Sequence, residues 1–197
     1  MPLVSLWRVG AVRPLEEAGT HRSDSWSFSV STVGIPALQG GEDVNDMEAG
    51  YLMSKLFQLP MQFAIPDILY WEEIEPGAPG LEQQGLRVLE VTGEFVSYAS
   101  GLPTKYGAEP STNDYLALAL AKQEGCPLLT GDQALRQAAQ SEDVSVMGSV
   151  WLLRVMVENK LLNVDQALAA LGLMKERKRR LPWAEAERVL NGLRGIQ

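Results

Sequence analysis

The chain has 197 residues, 46% apolar and 21% charged, which suits a globular protein with one sizeable core and an appendage and excludes a disordered or fibrous class. Its net charge of −8 is awkward for a nucleic-acid partner but leaves that question undecided, and its single cysteine, Cys126, excludes an internal disulfide and points to a reducing compartment. No stretch approaches the ~20 apolar residues of a membrane span, and Arg8 and Arg13 interrupt the apolar start, so a cytoplasmic protein without signal peptide or membrane partner is expected.

Residues 1–41 scatter Trp7, Trp26 and Phe28 among Gly, Ser, Arg and Thr, with only a weak strand alternation over 27–33. Residues 48–59 read as an amphipathic helix with Tyr51, Leu52, Leu56 and Leu59 on its apolar face, stopped by Pro60. A short strand at 62–65 leads into Pro66-Asp67, which opens a helix over 68–73 with Ile68, Leu69 and Trp71 as core candidates. A Gly-Ala-Pro-Gly turn follows at 77–80, then a strand at 85–91 and a helix that Thr92 caps and that runs to about residue 100. Residues 101–110 read as a loop.

The next stretch, S-T-N-D-Y-L-A-L-A-L-A-K-Q-E-G-C-P-L-L-T-G-D-Q-A-L-R, is the most informative. Ser111-x-x-Asp114 fits a capping box, and the following Tyr, Leu and Ala residues make a helix apolar over most of its surface until Gly125 ends it. Pro127 to Thr130 is a run of strand length, with Cys126 a small buried residue at its start. Gly131-Asp132 follow at that strand's carboxyl end and open a helix over 133–140. A last strand spans 144–147, and helices span 148–158, 163–171 and 183–193, the last with Pro182 at its start. Alternating short strands and helices argue for a parallel α/β sheet, in which ligands sit beyond the carboxyl ends of the strands. Asp132 stands at such an end, and Asp114 can be brought beside it.

The two aspartate motifs at this spacing, with F-A-I-P-D-I-L-Y-W-E-E-I upstream and V-M-G-S-V-W-L-L downstream, resemble the PIN-domain family of metal-dependent ribonucleases, which includes the VapC-like toxins. The resemblance covers roughly residues 43–155. It implies a PIN-like short parallel sheet flanked by helices over 42–160, preceded by an atypical segment 1–41 and followed by a helical extension 161–197. Where the family has a strongly apolar first strand ending in an aspartate, this chain reads I-P-A-L-Q-G-G-E-D-V-N-D. Asp43, in an Asp-x-Asn signature, or Asp46 takes the first acidic position. Glu72 matches the second acidic residue, with Glu73 a close competitor.

Phosphodiester hydrolysis at neutral pH needs an activated water and compensation for growing negative charge, and a pair of divalent ions about 3.5–4 Å apart supplies both. Mg²⁺ and Mn²⁺ take oxygen ligands, and several carboxylates held together without a cation repel one another. The resemblance therefore implies Asp43 or Asp46, Glu72, Asp114 and Asp132 as ligands of Mg²⁺ or Mn²⁺, with Ser111 and Thr130 as auxiliary hydroxyls. Each residue also has a plainer role. Asp114 and Asp132 can be helix caps, Glu72 a solvated helix residue, and Asp43 and Asp46 exposed loop acids.

Residues 171–197 carry seven Lys or Arg against three acids, so the rest of the chain stands at −12. Lys175, Arg177, Lys178, Arg179 and Arg180 are candidate phosphate contacts, or the solvated basic end of a helix. The expected function is a metal-dependent endoribonuclease acting on RNA; the resemblance to VapC-like toxins further implies a toxin role with an antitoxin partner, and a homodimer. The alternatives are a catalytically degenerate PIN fold that binds RNA or a protein, and a different metal-dependent phosphate-ester hydrolase. A serine hydrolase is disfavoured because no G-x-S-x-G occurs.

Overall fold

The computed structural model describes residues 37–38, 46–77 and 79–195. The weak strand at 27–33 and Asp43 lie outside the described residues.

Five parallel strands, β1 (Ala37–Leu38), β2 (Ala64–Pro66), β3 (Arg87–Leu89), β4 (Leu128–Leu129) and β5 (Val146–Met147), form one sheet in the order β3-β2-β1-β4-β5. Ala37 lies opposite Ala64 on one side and Leu128 on the other, and Leu38 lies opposite Leu129. The sheet winds outward from β1 in both directions, which puts its topological switch point between β1 and β4. The central strand comes from the stretch that the sequence pattern sets apart as atypical. Ala64, Ile65, Leu128 and Leu129 are fully buried, as expected for a parallel sheet covered on both faces.

The helices are α1 (Met53–Leu56), α2 (Asp67–Leu69), α3 (Leu81–Gln84), α4 (Gly93–Tyr106), α5 (Thr112–Glu124), α6 (Gln133–Ser141), α7 (Ser149–Glu158), α8 (Val164–Glu176) and α9 (Trp183–Gly192). A helical turn at 46–49 precedes α1, a π-helical turn (Tyr70–Ile74) continues α2, and a 3-10 turn (Leu193–Gly195) follows α9. Helix α5 is the centre of the core: every residue from Tyr115 to Ala121 is buried. Each fully buried leucine there contributes about 1.5–3 kcal/mol of transfer free energy, and the alternating alanines let neighbouring elements approach closely. Ala186, Leu190 and Leu193 join the same buried core, so the C-terminal helices pack on the sheet domain rather than hanging from it. Among the described residues, no helix is long and apolar enough to cross a membrane.

Four local expectations need correction. The helix expected over 48–59 is broken after its first turn, where Leu52 N–H bonds the Met47 carbonyl and Tyr51 turns left-handed at φ 57°. Tyr51, expected on the apolar face, is consequently 69% exposed. In the next segment the π-helical turn inserts an extra residue, closed by Glu75 N–H to the Tyr70 carbonyl. That added rotation buries Leu69, Tyr70 and Ile74 and leaves Ile68 and Trp71 exposed.

The region read as a loop at 101–110 is instead the last part of α4 as far as Tyr106, with Pro103 inside the helix. Burial of Leu102 offsets the hydrogen bond that proline cannot donate. Cys126 is half-buried rather than buried, although burial still pushes its thiol up to about 12 and keeps it protonated.

The C-terminal part of α4 is tied down by Glu142, which follows α6. Its carboxylate accepts from Lys105 Nζ at 2.6 Å, Lys122 Nζ at 2.6 Å and Tyr106 Oη at 2.7 Å. These donors, Lys105 foremost, then Lys122 and Tyr106, hold the Glu142 carboxyl well below its ordinary value of 4.5. A depressed folded value stabilises the protein above the unfolded value and loses that contribution as the pH falls through the folded one. Glu142→Gln should therefore lower Tm at pH 7. The Tm gap between variant and parent should narrow as the pH drops below about 4, as thermal melts across a pH series would show.

Candidate active site

Asp114 and Asp132 stand at helix starts, Asp46 opens the helical turn at 46–49, and Glu72 lies inside the π-helical turn Tyr70–Ile74. Asp114 sits in the first turn of α5, within a full capping box. Ser111 Oγ accepts from Asp114 N–H at 3.1 Å, and the Asp114 carboxylate accepts from Ser111 N–H at 2.7 Å. Asp132 caps α6 by accepting from Leu135 N–H at 2.6 Å. Its own N–H donates to Thr130 Oγ1 at 3.0 Å, and Thr130 is fully buried. The plainer capping roles are thus real, and they also orient the side chains. The fields of both aspartates reach one phenol: burial first, then Asp114 and Asp132, raise the Tyr115 pKa. Tyr115 in turn donates to the Gly107 carbonyl at 2.8 Å, which seats the loop before α5.

Glu72 and Glu73 come to the same end of α5 through a residue the motif reading passes over. Asn113 Nδ2 donates to Glu72 Oε2 at 3.1 Å and to Glu73 Oε1 at 2.9 Å. One amide thus bridges both carboxylates beside Asp114. The structure brings both candidates for the second acidic position to the site, each exposed.

Asp46 has a different setting. It is 5% exposed, and both oxygens are engaged: Ser149 Oγ donates to Oδ2 at 2.6 Å and Arg179 Nε to Oδ1 at 2.5 Å. The expected exposed loop acid is instead a buried ion pair between the start of the domain and its C-terminal basic turn. Asp46, Gly131, Lys178, Arg179 and Arg180 line a cleft of about 100 Å³. This is small beside the ~300–1,000 Å³ of pockets for drug-sized ligands, and its scale suits a single phosphate group. Gly131 joins Thr130 to Asp132, so the basic turn reaches the carboxyl end of β4.

Lys175 lies elsewhere, its ammonium 5.8 Å from the Trp183 ring centroid, while Arg177 packs on Tyr51. The five basic residues therefore split into a cleft group and two flanking side chains. Sequence reasoning also misses Arg136, whose Nη2 donates to the Thr130 carbonyl at 2.9 Å and the Met147 carbonyl at 3.4 Å, tying together the ends of β4 and β5. A side chain at Gly148 would meet that guanidinium at 3.1 Å, so the glycine keeps its place clear. Asn113 is adjacent to a motif aspartate and is findable on that ground. Ser149 carries no local signal.

A model of the protein family described as PIN domain matches residues 49–194. The chain belongs to the PIN-domain family. The match runs through α8, the basic turn and α9. No curated protein and no solved structure matches the chain. PIN domains are in general nucleases that depend on divalent metal. Among the described residues of this PIN domain, no three His, Cys, Asp or Glu side chains stand close enough to hold a metal ion. The cation at Asp46 is the Arg179 guanidinium. The described residues thus do not by themselves fit a divalent ion; Asp43 lies outside them.

The Asp46–Arg179 pair is mostly buried, with side-chain exposures of 7% and 26%. Removing one partner of such a pair leaves a desolvated charge and costs about 3–5 kcal/mol. Arg179→Ala should destabilise the fold by roughly that amount in denaturant titration. Asp46→Asn should cost less, because the amide keeps the carboxylate's shape and can still accept from Ser149.

Proposed function

We propose that this PIN domain is an endoribonuclease, with Asp114 and Asp132 as its principal acidic residues and Glu72 or Glu73 beside them. The observation that carries the reading is the joint placement of the two aspartates. They belong to helix starts some eighteen residues apart, and each is held in place by its own cap, Asp132 directly after the carboxyl end of β4. A phosphodiester arriving there meets two carboxylates oriented by Ser111 and by the buried Thr130, and a cleft carrying Lys178 and Arg180. RNA is the proposed substrate, and the basic turn Lys178–Arg180 that borders this edge of an otherwise acidic chain supports it. The family's VapC-like members make a toxin role, with an antitoxin partner, part of the same proposal. Mg²⁺ or Mn²⁺ is the proposed requirement, which calls for a donor beyond the described residues.

A second reading has one specific observation behind it. Arg179 neutralises Asp46 at the edge where the family's first acidic position lies, as expected of a PIN fold that binds RNA without cutting it.

Incubating purified protein with single-stranded and structured RNA in Mg²⁺, Mn²⁺ or chelator separates the two. The endoribonuclease reading expects internal cleavage that chelator abolishes, and a loss of about a hundredfold or more in Asp114→Asn and in Asp132→Asn. Asp46→Asn should retain cleavage at temperatures below its reduced Tm. RNA that is bound but left intact by folded protein in every condition would establish the binding reading instead.

A further inference from the structure

Two helix ends meet beside the cleft. The helical turn at 46–49 closes with Tyr51 at φ 57°, and α8 closes with Lys178 at φ 57°, the left-handed region that favours glycine. The hydrogen bonding is the same in both. Tyr51 N–H and Leu52 N–H bond the Glu48 and Met47 carbonyls, while Lys178 N–H and Arg179 N–H bond those of Lys175 and Met174. Asp143 and Lys160 also adopt left-handed conformations at helix ends, so the backbone alone marks no site.

What distinguishes Tyr51 and Lys178 is where they are and what they present. The first turn lies directly on α8: a side chain at Gly50 would meet Met174 Cε at 2.8 Å and Ala170 Cβ at 3.4 Å. That contact places an exposed tyrosine beside the basic turn. The Arg177 guanidinium stands 4.7 Å from the Tyr51 ring centroid, and its Nη2 donates to Tyr51 Oη at 2.6 Å. Arg179 is matched by Asp46, so the cleft keeps the two positive charges of Lys178 and Arg180, both exposed.

We propose that Tyr51, Arg177, Lys178 and Arg180 hold single-stranded RNA at the active-site edge. A base stacks on the Tyr51–Arg177 platform, and a neighbouring phosphate enters the notch beside Lys178 and Arg180. The inference rests on the RNA reading above and extends it to the residues that grip the strand. An exposed aromatic ring takes an unstacked base of any identity, which a duplex does not offer, while a notch of about 100 Å³ takes a phosphate and not a nucleotide. The acidic remainder of the chain disfavours binding elsewhere.

Fluorescence anisotropy with a labelled single-stranded RNA, in chelator so that no cleavage intervenes, tests this with three variants. Tyr51→Gly, Lys178→Gly and Lys160→Gly each place glycine at a left-handed helix end, so all three should melt at or above the parent's Tm. Tyr51→Gly should weaken binding by about tenfold. Lys178→Gly should lower the slope of log affinity against log salt by roughly 0.7. Lys160→Gly, which does not line the cleft, should bind as the parent does. Parent-like affinity and salt slope in both Tyr51→Gly and Lys178→Gly would overturn the inference, as would equal affinity for duplex RNA. Failure of the parent itself to bind either RNA would instead overturn the RNA reading, and this inference with it.

Discussion

Everything at the active-site edge depends on the burial of α5. The strands have only two or three residues each, so their ladder contributes few hydrogen bonds and cannot by itself fix the elements around it. A helix buried from Tyr115 to Ala121 has no solvent-facing side over those residues and is held from every direction. Its first turn is thereby fixed at the carboxyl side of the sheet. Ser111, Asn113 and Asp114 acquire their positions from that packing, and Glu72 and Glu73 acquire theirs by reaching Asn113.

The second organising feature is electrostatic. The chain carries a net charge of −8, and a buried carboxylate needs a partner. That carboxylate, Asp46, is neutralised by a cation from the far end of the chain. Arg179 arrives on the turn after α8, and α8 is held to the domain by the buried face that includes Ala167, Ala170, Leu171 and Met174. The C-terminal helices are consequently part of the site's electrostatics. This agrees with a family match that extends through them to residue 194.

Much of this is legible in the amino-acid sequence. The caps of α5 and α6 are local chemistry: Ser111 and Asp114 are three residues apart, and Asp132 meets the backbone of Leu135, so pattern alone locates both aspartates and the helices they begin. The all-round apolar run of α5 likewise announces its burial. The misreadings at Tyr51, Trp71 and Pro103 share a cause. A left-handed helix end without glycine, a π-helical turn and a proline inside a helix are each disfavoured locally and are held by packing. Propensity therefore points away from them.

By itself, the sequence determined the alternation of strands and helices, the family, and the two aspartates of the proposed site, because those features rest on interactions among residues close along the chain. Only the tertiary structure decided that Asp46 is paired with Arg179 across 133 residues, that Ser149 completes that pair, and that an exposed Tyr51 stands beside Arg177. Such partners are chosen by which buried faces pack together, and no local pattern records that choice.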